Sequence, residues 1–327
     1  MNNHVDSEVI LQVQNLKKYF NTPRGLLHAV DDINFSVRKG ETIGVVGESG
    51  CGKSTLGRVV LHLLESTDGK IFFKGEDITN VKRKKLQELR AEMQIIFQDP
   101  YSSLDPRFTV KGIIEEPLVN LGMSKLERRK KAAELMETVG LAERLADSYP
   151  HELDGGRRQR IGIARALAFN PDFIVCDEPV SALDVSIQAQ VINLLLDLQQ
   201  QRGLTYMFIS HDLSVVKYLS HKIMVMYLGQ TVEVSTSDDL FVRPTHPYTQ
   251  ALLSAVPIPS VKKKKERILL KGELTSPINP KPGCRFAPRC LYATERCFKE
   301  QPVLKELSKE HFVACFNHEK INEGARV

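Results

Sequence analysis

Nine residues, Gly47-Glu48-Ser49-Gly50-Cys51-Gly52-Lys53-Ser54-Thr55, constrain this chain more than any other stretch. They fit G-x-x-x-x-G-K-[ST], a loop that cradles phosphate groups. The apolar run Thr42 to Val46 precedes them and reads as a buried strand. Lys53 to Leu64 follows, with Leu56, Val59, Val60, Leu63 and Leu64 on one helical face. A loop running from a strand into a helix N-terminus turns backbone N–H groups and the positive end of the helix dipole toward an anion. Its glycines let the backbone curl round phosphates without Cβ clashes. Lys53 is then expected to reach the β- and γ-phosphates, and the Ser54 hydroxyl to ligate Mg²⁺.

The 327 residues, 42% apolar and 26% charged, suffice for one large or two modest domains with a real core. A net charge of +5 permits contact with anionic lipid and makes no case for nucleic acid. Met1 to Glu8 is polar and does not read as a secretory signal. No apolar run approaches the roughly 20 residues that cross a bilayer. A cytoplasmic location is therefore expected, with any membrane association made through a partner or the surface. Of the six cysteines, Cys51 and Cys176 read as small packing residues, and structural disulfides are not expected.

Val9 to Val13 and His28 to Val37 read as antiparallel strands on either side of the turn Asn21 to Gly25. Lys70 to Phe73 is a further short strand, and basic residues 82 to 85 a solvated face. Met93 to Phe97 is an apolar run ending at Gln98. Residues 110 to 145 are helical in pattern, with Leu126, Ala133, Met136 and Val139 as the apolar stripe. From Arg157 helices and strands alternate: a helix to Phe169, a strand Phe173 to Cys176, a helix Val185 to Gln201 and a strand Tyr206 to Ile209. Ile223 to Tyr227 and Gln230 to Val234 form a hairpin around Gly229. This alternation predicts an α/β fold with a mainly parallel sheet covered on both faces. After about residue 242 prolines punctuate the chain, and a lysine run spans 262 to 265. That run can touch anionic lipid or serve as a solvated linker. His246 and Tyr248, flanked by Pro244 and Pro247, read as structural.

The strand from Phe173 ends in two carboxylates. Asp177 is placed to hold Mg²⁺ and Glu178 to orient or deprotonate the water attacking a γ-phosphate. His211 follows the next strand at its C-terminal end, on the ligand side of such a sheet.

Taken in order across residues 8 to 241, these motifs resemble the nucleotide-binding subunits of ATP-binding-cassette transporters. Gln98 in Phe97-Gln98-Asp99-Pro100 is similar to the glutamine that, in the family, meets Mg²⁺ and the reaction site. Leu153 to Gln159 matches the signature segment that opens a helix. Asp177 and Glu178 match the second nucleotide motif, Ser181-Ala182-Leu183-Asp184 the dimer-contact loop, and His211 the switch histidine. The resemblance implies an aromatic residue stacked on adenine, for which Phe20 fits best and Tyr19 is the alternative. It also implies a P-loop fold with an antiparallel β subdomain and a helical subdomain over about 99–160. Two cassettes would close head to tail, each ATP lying between the phosphate loop of one and the signature of the other.

The signature departs from the family pattern L-S-G-G-Q: this chain has Leu153-Asp154-Gly155-Gly156-Arg157. An ionised Asp154 has no proton to donate and sets like charge beside the opposite γ-phosphate. Arg157 or protonation of Asp154 would offset part of the repulsion. The expectation is one impaired composite site, which a heterodimer with a second cassette ATPase would confine.

Cys284, Cys290, Cys297 and Cys315 are spaced C-x5-C-x6-C-x17-C. Four thiols suit either tetrahedral Zn²⁺ or an iron–sulfur cluster, and the spacing fits structural zinc poorly. With Arg243 to Leu253 they resemble the C-terminal extension, here 242–327, of oligopeptide and dipeptide importer ATPases. That resemblance implies a [4Fe–4S] cluster on these four cysteines. It also implies two membrane-spanning permease subunits and an extracytoplasmic substrate-binding protein as partners, at the cytoplasmic face of the cell membrane. The function expected is ATP hydrolysis driving import of oligopeptides or dipeptides. Nickel or another small solute is the alternative cargo. A soluble cassette ATPase of translation or DNA repair is a second class, disfavoured because no tandem cassette or coiled-coil insert is present. A binding-only module is a third, disfavoured by Glu178 and His211.

Overall fold

A computed structural model describes residues 8–256, 267–270, 272 and 276–324, which fall into two compact units. The lysine run at 262–265 lies outside the described residues. One unit comprises Val9–Val37, Thr42–Asn80 and the chain from Ile209 onward; the other is built mainly from Val81–Phe208.

The first unit holds a four-stranded sheet in the order Gly25–Arg38, Val9–Thr22, Asp68–Phe73, Glu76–Asp77. Leu11, Gln12 and Val13 stand opposite Phe73, Phe72 and Ile71 in antiparallel register. This is the antiparallel subdomain expected, although the two N-terminal strands run longer than their apolar alternation indicates. The same unit carries Thr42–Val46, paired in parallel with Lys222–Tyr227 through Val45 and Met224. Lys222–Tyr227 turns back at Gly229 into Gln230–Thr236, the expected hairpin. The chain beyond residue 242 continues this sheet: His311–Val313 pairs antiparallel with Gln230–Thr236, and Lys305–Ser308 pairs with His311–Val313.

Glu233, wholly buried, anchors that continuation. Its carboxylate accepts hydrogen bonds from the backbone N–H groups of Thr245 (2.8 Å) and His246 (3.0 Å), and it lies 2.8 Å from His311 Nε2. A buried charge is tolerable only with such partners.

In the second unit Thr205–Ile209, Phe173–Asp177 and Met93–Ile96 lie side by side, the latter two parallel through Val175 and Ile95. Every residue of Phe173–Asp177 and Thr205–Ile209 is buried, as a strand covered on both faces requires. The helical part contains Val110–Asn120, Lys125–Thr138 and Gly155–Leu167.

Two parts of the expected helical patterns shift. Leu126 is 79% exposed, and the buried face of Lys125–Thr138 is formed by Ala132, Leu135 and Met136, with Val139 buried at its C-cap. Ser124 and Glu127 make a capping box, so Leu126 sits in the first turn at the wet end of the helix. The first helix ends at Val60 rather than Leu64, which leaves Leu63 45% exposed. His62 there has a φ of 53°, incompatible with helix continuation. No helix among the described residues is long and apolar enough to cross a membrane.

Candidate functional site

The phosphate-binding loop joins Thr42–Val46 to the helix Lys53–Val60, as its motif predicts. Gly52 is the N-cap at φ 105° and brings no side chain to the first-turn N–H groups. A Cβ at Gly52 would come within 2.0 Å of the Ala29 carbonyl oxygen, and one at Gly47 within 2.2 Å of that of Met226. Only glycine fits where backbone approaches backbone so closely. Lys53 is 4% exposed and its ammonium curls over the loop, donating to the carbonyls of Gly47 (2.8 Å) and Glu48 (3.1 Å). Cys51 is buried, and burial pushes its thiol pKa up. A glycine-capped helix start beside a gathered ammonium suits a nucleotide polyphosphate, and the hydroxyls of Ser54 and Thr55 open the same helix. These features fit ATP with Mg²⁺.

Phe20 and Tyr19 stand next to each other on Val9–Thr22, and both are half-buried. Tyr19 stacks on His28 at 3.9 Å between ring centroids, and its hydroxyl hydrogen-bonds Asp31. Asp31 also meets Arg285. Burial acts to raise the Asp31 pKa, but hydrogen bonds from Tyr19 and His28 and the Arg285 charge outweigh it, leaving it below the ordinary carboxylate value. Phe20 instead lies under the Lys18 ammonium, 4.9 Å from its ring centroid.

Ser210 donates its N–H to Val45 (3.1 Å), so the chain reaches exposed His211 alongside the strand that leads into the phosphate loop.

In the other unit the structure joins two of the expected residues directly. Gln98 Nε2 donates to Glu178 Oε2 at 3.1 Å. Asp177 is 2% exposed at the end of its strand, while Glu178 is half-buried and has a φ of 47°. A left-handed glutamate is a strained backbone state, of the kind that collects at functional sites. The turn after it is closed by Ser181, whose N–H and hydroxyl both donate to the Glu178 carbonyl (3.3 and 3.1 Å). This leaves Ser181, Ala182 and Asp184 exposed and Leu183 half-buried.

The signature segment packs behind that turn. A Cβ at Gly155 would lie 3.0 Å from Leu183 Cδ2, and one at Gly156 2.5 Å from Ile187 Cγ2. Leu153 is buried. Asp154 is the N-cap of Gly155–Leu167, accepting the Arg157 N–H at 2.8 Å. Its second oxygen lies 3.5 Å from Arg157 Nε, with both side chains about half exposed. The helix thus begins two residues before the expected start, because Asp154 caps it as serine would.

Cys284, Cys290, Cys297 and Cys315 line one pocket together with His246 and Phe286. The N–H groups of Tyr292 and Thr294 donate to the sulfurs of Cys290 (3.4 Å) and Cys297 (3.5 Å). Burial raises the Cys284 thiol pKa and pushes those of Cys290 and Cys315 up to about 11 and about 12. Among the described residues no set of three or more His, Cys, Asp or Glu side chains is placed to hold a metal ion. The thiols as placed do not make a single-ion site, and the donor set of four cysteines is the one an iron–sulfur cluster takes.

The sequence reading missed the attachment of the C-terminal segment to the phosphate loop. Arg289 lies on the Glu48 carboxylate and Tyr248 on the Glu48 N–H. Those partners are separated by 241 and 200 residues, and no local periodicity signals such a pairing.

Residues 30–181 match the ABC transporter family, and residues 232–297 match the oligopeptide/dipeptide transporter C-terminal region. The chain is 52% identical over 321 residues to the oligopeptide transport ATP-binding protein AppF of Bacillus subtilis, covering 95% of this chain and 98% of that protein. It is 48% identical over 325 residues to the dipeptide transport ATP-binding protein DppF of Haemophilus influenzae, covering 97% and 99%. Among solved structures it resembles the ATP-binding cassette MJ0796 in a dimeric post-hydrolysis state bound to ADP and Pi, with a TM-score of 0.65, 29% identity, and 70% and 99% coverage. It also resembles cbiO1 from Clostridium perfringens, part of the ABC transporter complex cbiONQ, with a TM-score of 0.65, 29% identity, and 72% and 92% coverage.

Proposed function

The chain belongs to the ABC transporter family, among ATP-binding proteins with the oligopeptide/dipeptide transporter C-terminal region, and from that premise we propose that it hydrolyses ATP to power peptide import. The observation that carries the peptide assignment is near-full-length similarity, at about half identity, to relatives named for oligopeptide and dipeptide transport. On this reading Phe20 stacks on adenine, since Tyr19 is committed to His28 and Asp31. Lys53 and the loop N–H groups hold the phosphates. Ser54, Gln98 and Asp177 hold Mg²⁺, which when bound draws charge from the transferred phosphoryl group. Glu178 orients the attacking water, its carboxylate held by Gln98, and His211 reads the γ-phosphate.

The working unit on this reading is a pair of cassettes at the cytoplasmic face of the membrane, bound to two permease subunits that receive cargo from an extracytoplasmic binding protein. The exposed turn Ser181 to Asp184 supports a contact with a second cassette. Asp154 weakens the composite site that this signature completes, which favours a heterodimer. Reconstitution of the complex in proteoliposomes tests the assignment: ATP supplied on the cassette side should drive uptake of a labelled peptide. Absence of ATP-dependent peptide uptake by an assembled complex overturns it.

A [4Fe–4S] cluster on Cys284, Cys290, Cys297 and Cys315 is the finer part of the reading. Its support is that all four cysteines line one pocket and that N–H donors meet two of the sulfurs. Anaerobic purification should then give iron and acid-labile sulfide in equal amounts, and a chain lacking both holds four thiols only.

A further inference from the structure

Glu48, the second residue of the phosphate loop, is held from two sides by the C-terminal segment. Arg289 places its guanidinium on the carboxylate as a fork, Nη1 at 2.8 Å and Nη2 at 3.1 Å. Tyr248 Oη accepts the Glu48 backbone N–H at 2.8 Å. The contact is substantially dry: the Arg289 side chain is 11% exposed and that of Glu48 27%, and Tyr248 is fully buried. The anchors are themselves fixed. Tyr248 meets Tyr227 edge-on at 4.7 Å, Phe286 packs against both, and the Arg289 guanidinium lies 5.9 Å from the Tyr227 ring. Arg285, in the same cysteine-flanked segment, binds Asp31 and the Leu228 carbonyl.

This arrangement answers an electrostatic problem. A phosphate-binding loop bearing a bare carboxylate would repel the polyphosphate it receives. A bidentate guanidinium both cancels that charge and fixes its geometry. We infer that Arg289 and Tyr248 are positioning residues for the nucleotide site, holding Glu48 turned away and neutralised so that the loop stands ready for a polyphosphate. The inference rests on the loop's being the ATP site.

The test is equilibrium ATP binding to the full chain. Arg289→Ala should weaken ATP binding by ~10-fold, the loss expected when a charged hydrogen-bonded partner goes. Adding Glu48→Gln to that variant should recover most of the loss, because the offending charge is gone. A merely structural role would not give that recovery. Arg289→Lys, which keeps charge without the fork, should fall between. Tyr248→Phe keeps the ring and removes the acceptor. It should weaken binding by ~3-fold or more, and it serves if Arg289→Ala does not fold. Unchanged ATP binding in both Arg289→Ala and Tyr248→Phe, or equal losses in Arg289→Ala with and without Glu48→Gln, overturns the positioning role. Failure of the unsubstituted chain to bind ATP overturns the ATP-site reading instead.

Discussion

Replacing Asp154 with Ser separates the two things this residue does. As an N-cap it accepts the Arg157 N–H at 2.8 Å, and serine caps helices about as well. Its ion pair with Arg157, at 3.5 Å with the side chains 57% and 48% exposed, is worth under about 1 kcal/mol. Stability should therefore change little. What changes, on the proposed pairing of two cassettes, is a negative charge facing the γ-phosphate of the opposite one. Two unit charges about 4 Å apart repel by ~1 kcal/mol in bulk water and ~4 kcal/mol at an effective dielectric of 20. At about 1.4 kcal/mol per decade of rate, that is a gain between ~5-fold and ~1000-fold. The neighbouring Arg157 guanidinium already cancels part of the charge, which points to the lower end. The assay is steady-state ATPase of the assembled complex with its partner cassette. Asp154→Asn serves as a second variant that removes charge while keeping shape and cap. An equal gain in both variants assigns the defect to charge, and a gain with Ser alone assigns it to the missing hydroxyl donor. Turnover unchanged or lower in both variants refutes the repulsion reasoning.

Other outcomes follow from the geometry. Gly52→Ala sets a methyl 2.0 Å from the Ala29 carbonyl oxygen at a φ of 105°, a clash no rotamer relieves. Chemical denaturation should show a loss of ~2 kcal/mol or more together with loss of ATP binding, and native-like stability would contradict the close approach. His246 accepts the Tyr248 N–H on Nδ1, and burial depresses its pKa from 6.5 to about 4. Its neutral form is the folded form, so its stabilising contribution is complete above pH 6.5 and is lost as pH falls toward 4. The loss is on the order of 3 kcal/mol. His246→Asn, which retains a capping acceptor without the titration, should flatten that part of the stability profile, and an unaltered profile would refute the assignment.

The motifs legible in the sequence are those whose chemistry is local. The phosphate loop, the Phe173–Asp177 strand with its carboxylate end and the hairpin at Gly229 are each specified within a dozen residues, and their backbones form as expected. Helix phases failed where helix ends intervened. A capping box at Ser124 put Leu126 on the wet end, and the positive φ at His62 cut Leu63 and Leu64 out of the first helix. The clamp of Arg289 and Tyr248 on Glu48 was illegible because it is a packing result between distant segments. A buried tyrosine flanked by prolines reads as structural until its hydroxyl is seen on the loop. The four cysteines were legible as a set, but sequence spacing carries no information on how closely the folded chain gathers their sulfurs.

The most direct measurement is turnover of the assembled complex carrying Glu178→Gln, with retained nucleotide counted in the same sample. Gln98 holds the Glu178 carboxylate at 3.1 Å, and glutamine keeps that size while losing the ability to take a proton from water. ATP hydrolysis should fall by about 10²–10⁴ while ATP stays bound. Turnover within about twofold of the unsubstituted complex, or full turnover by a single unpaired copy of the chain, would contradict the account of a paired, hydrolysing cassette.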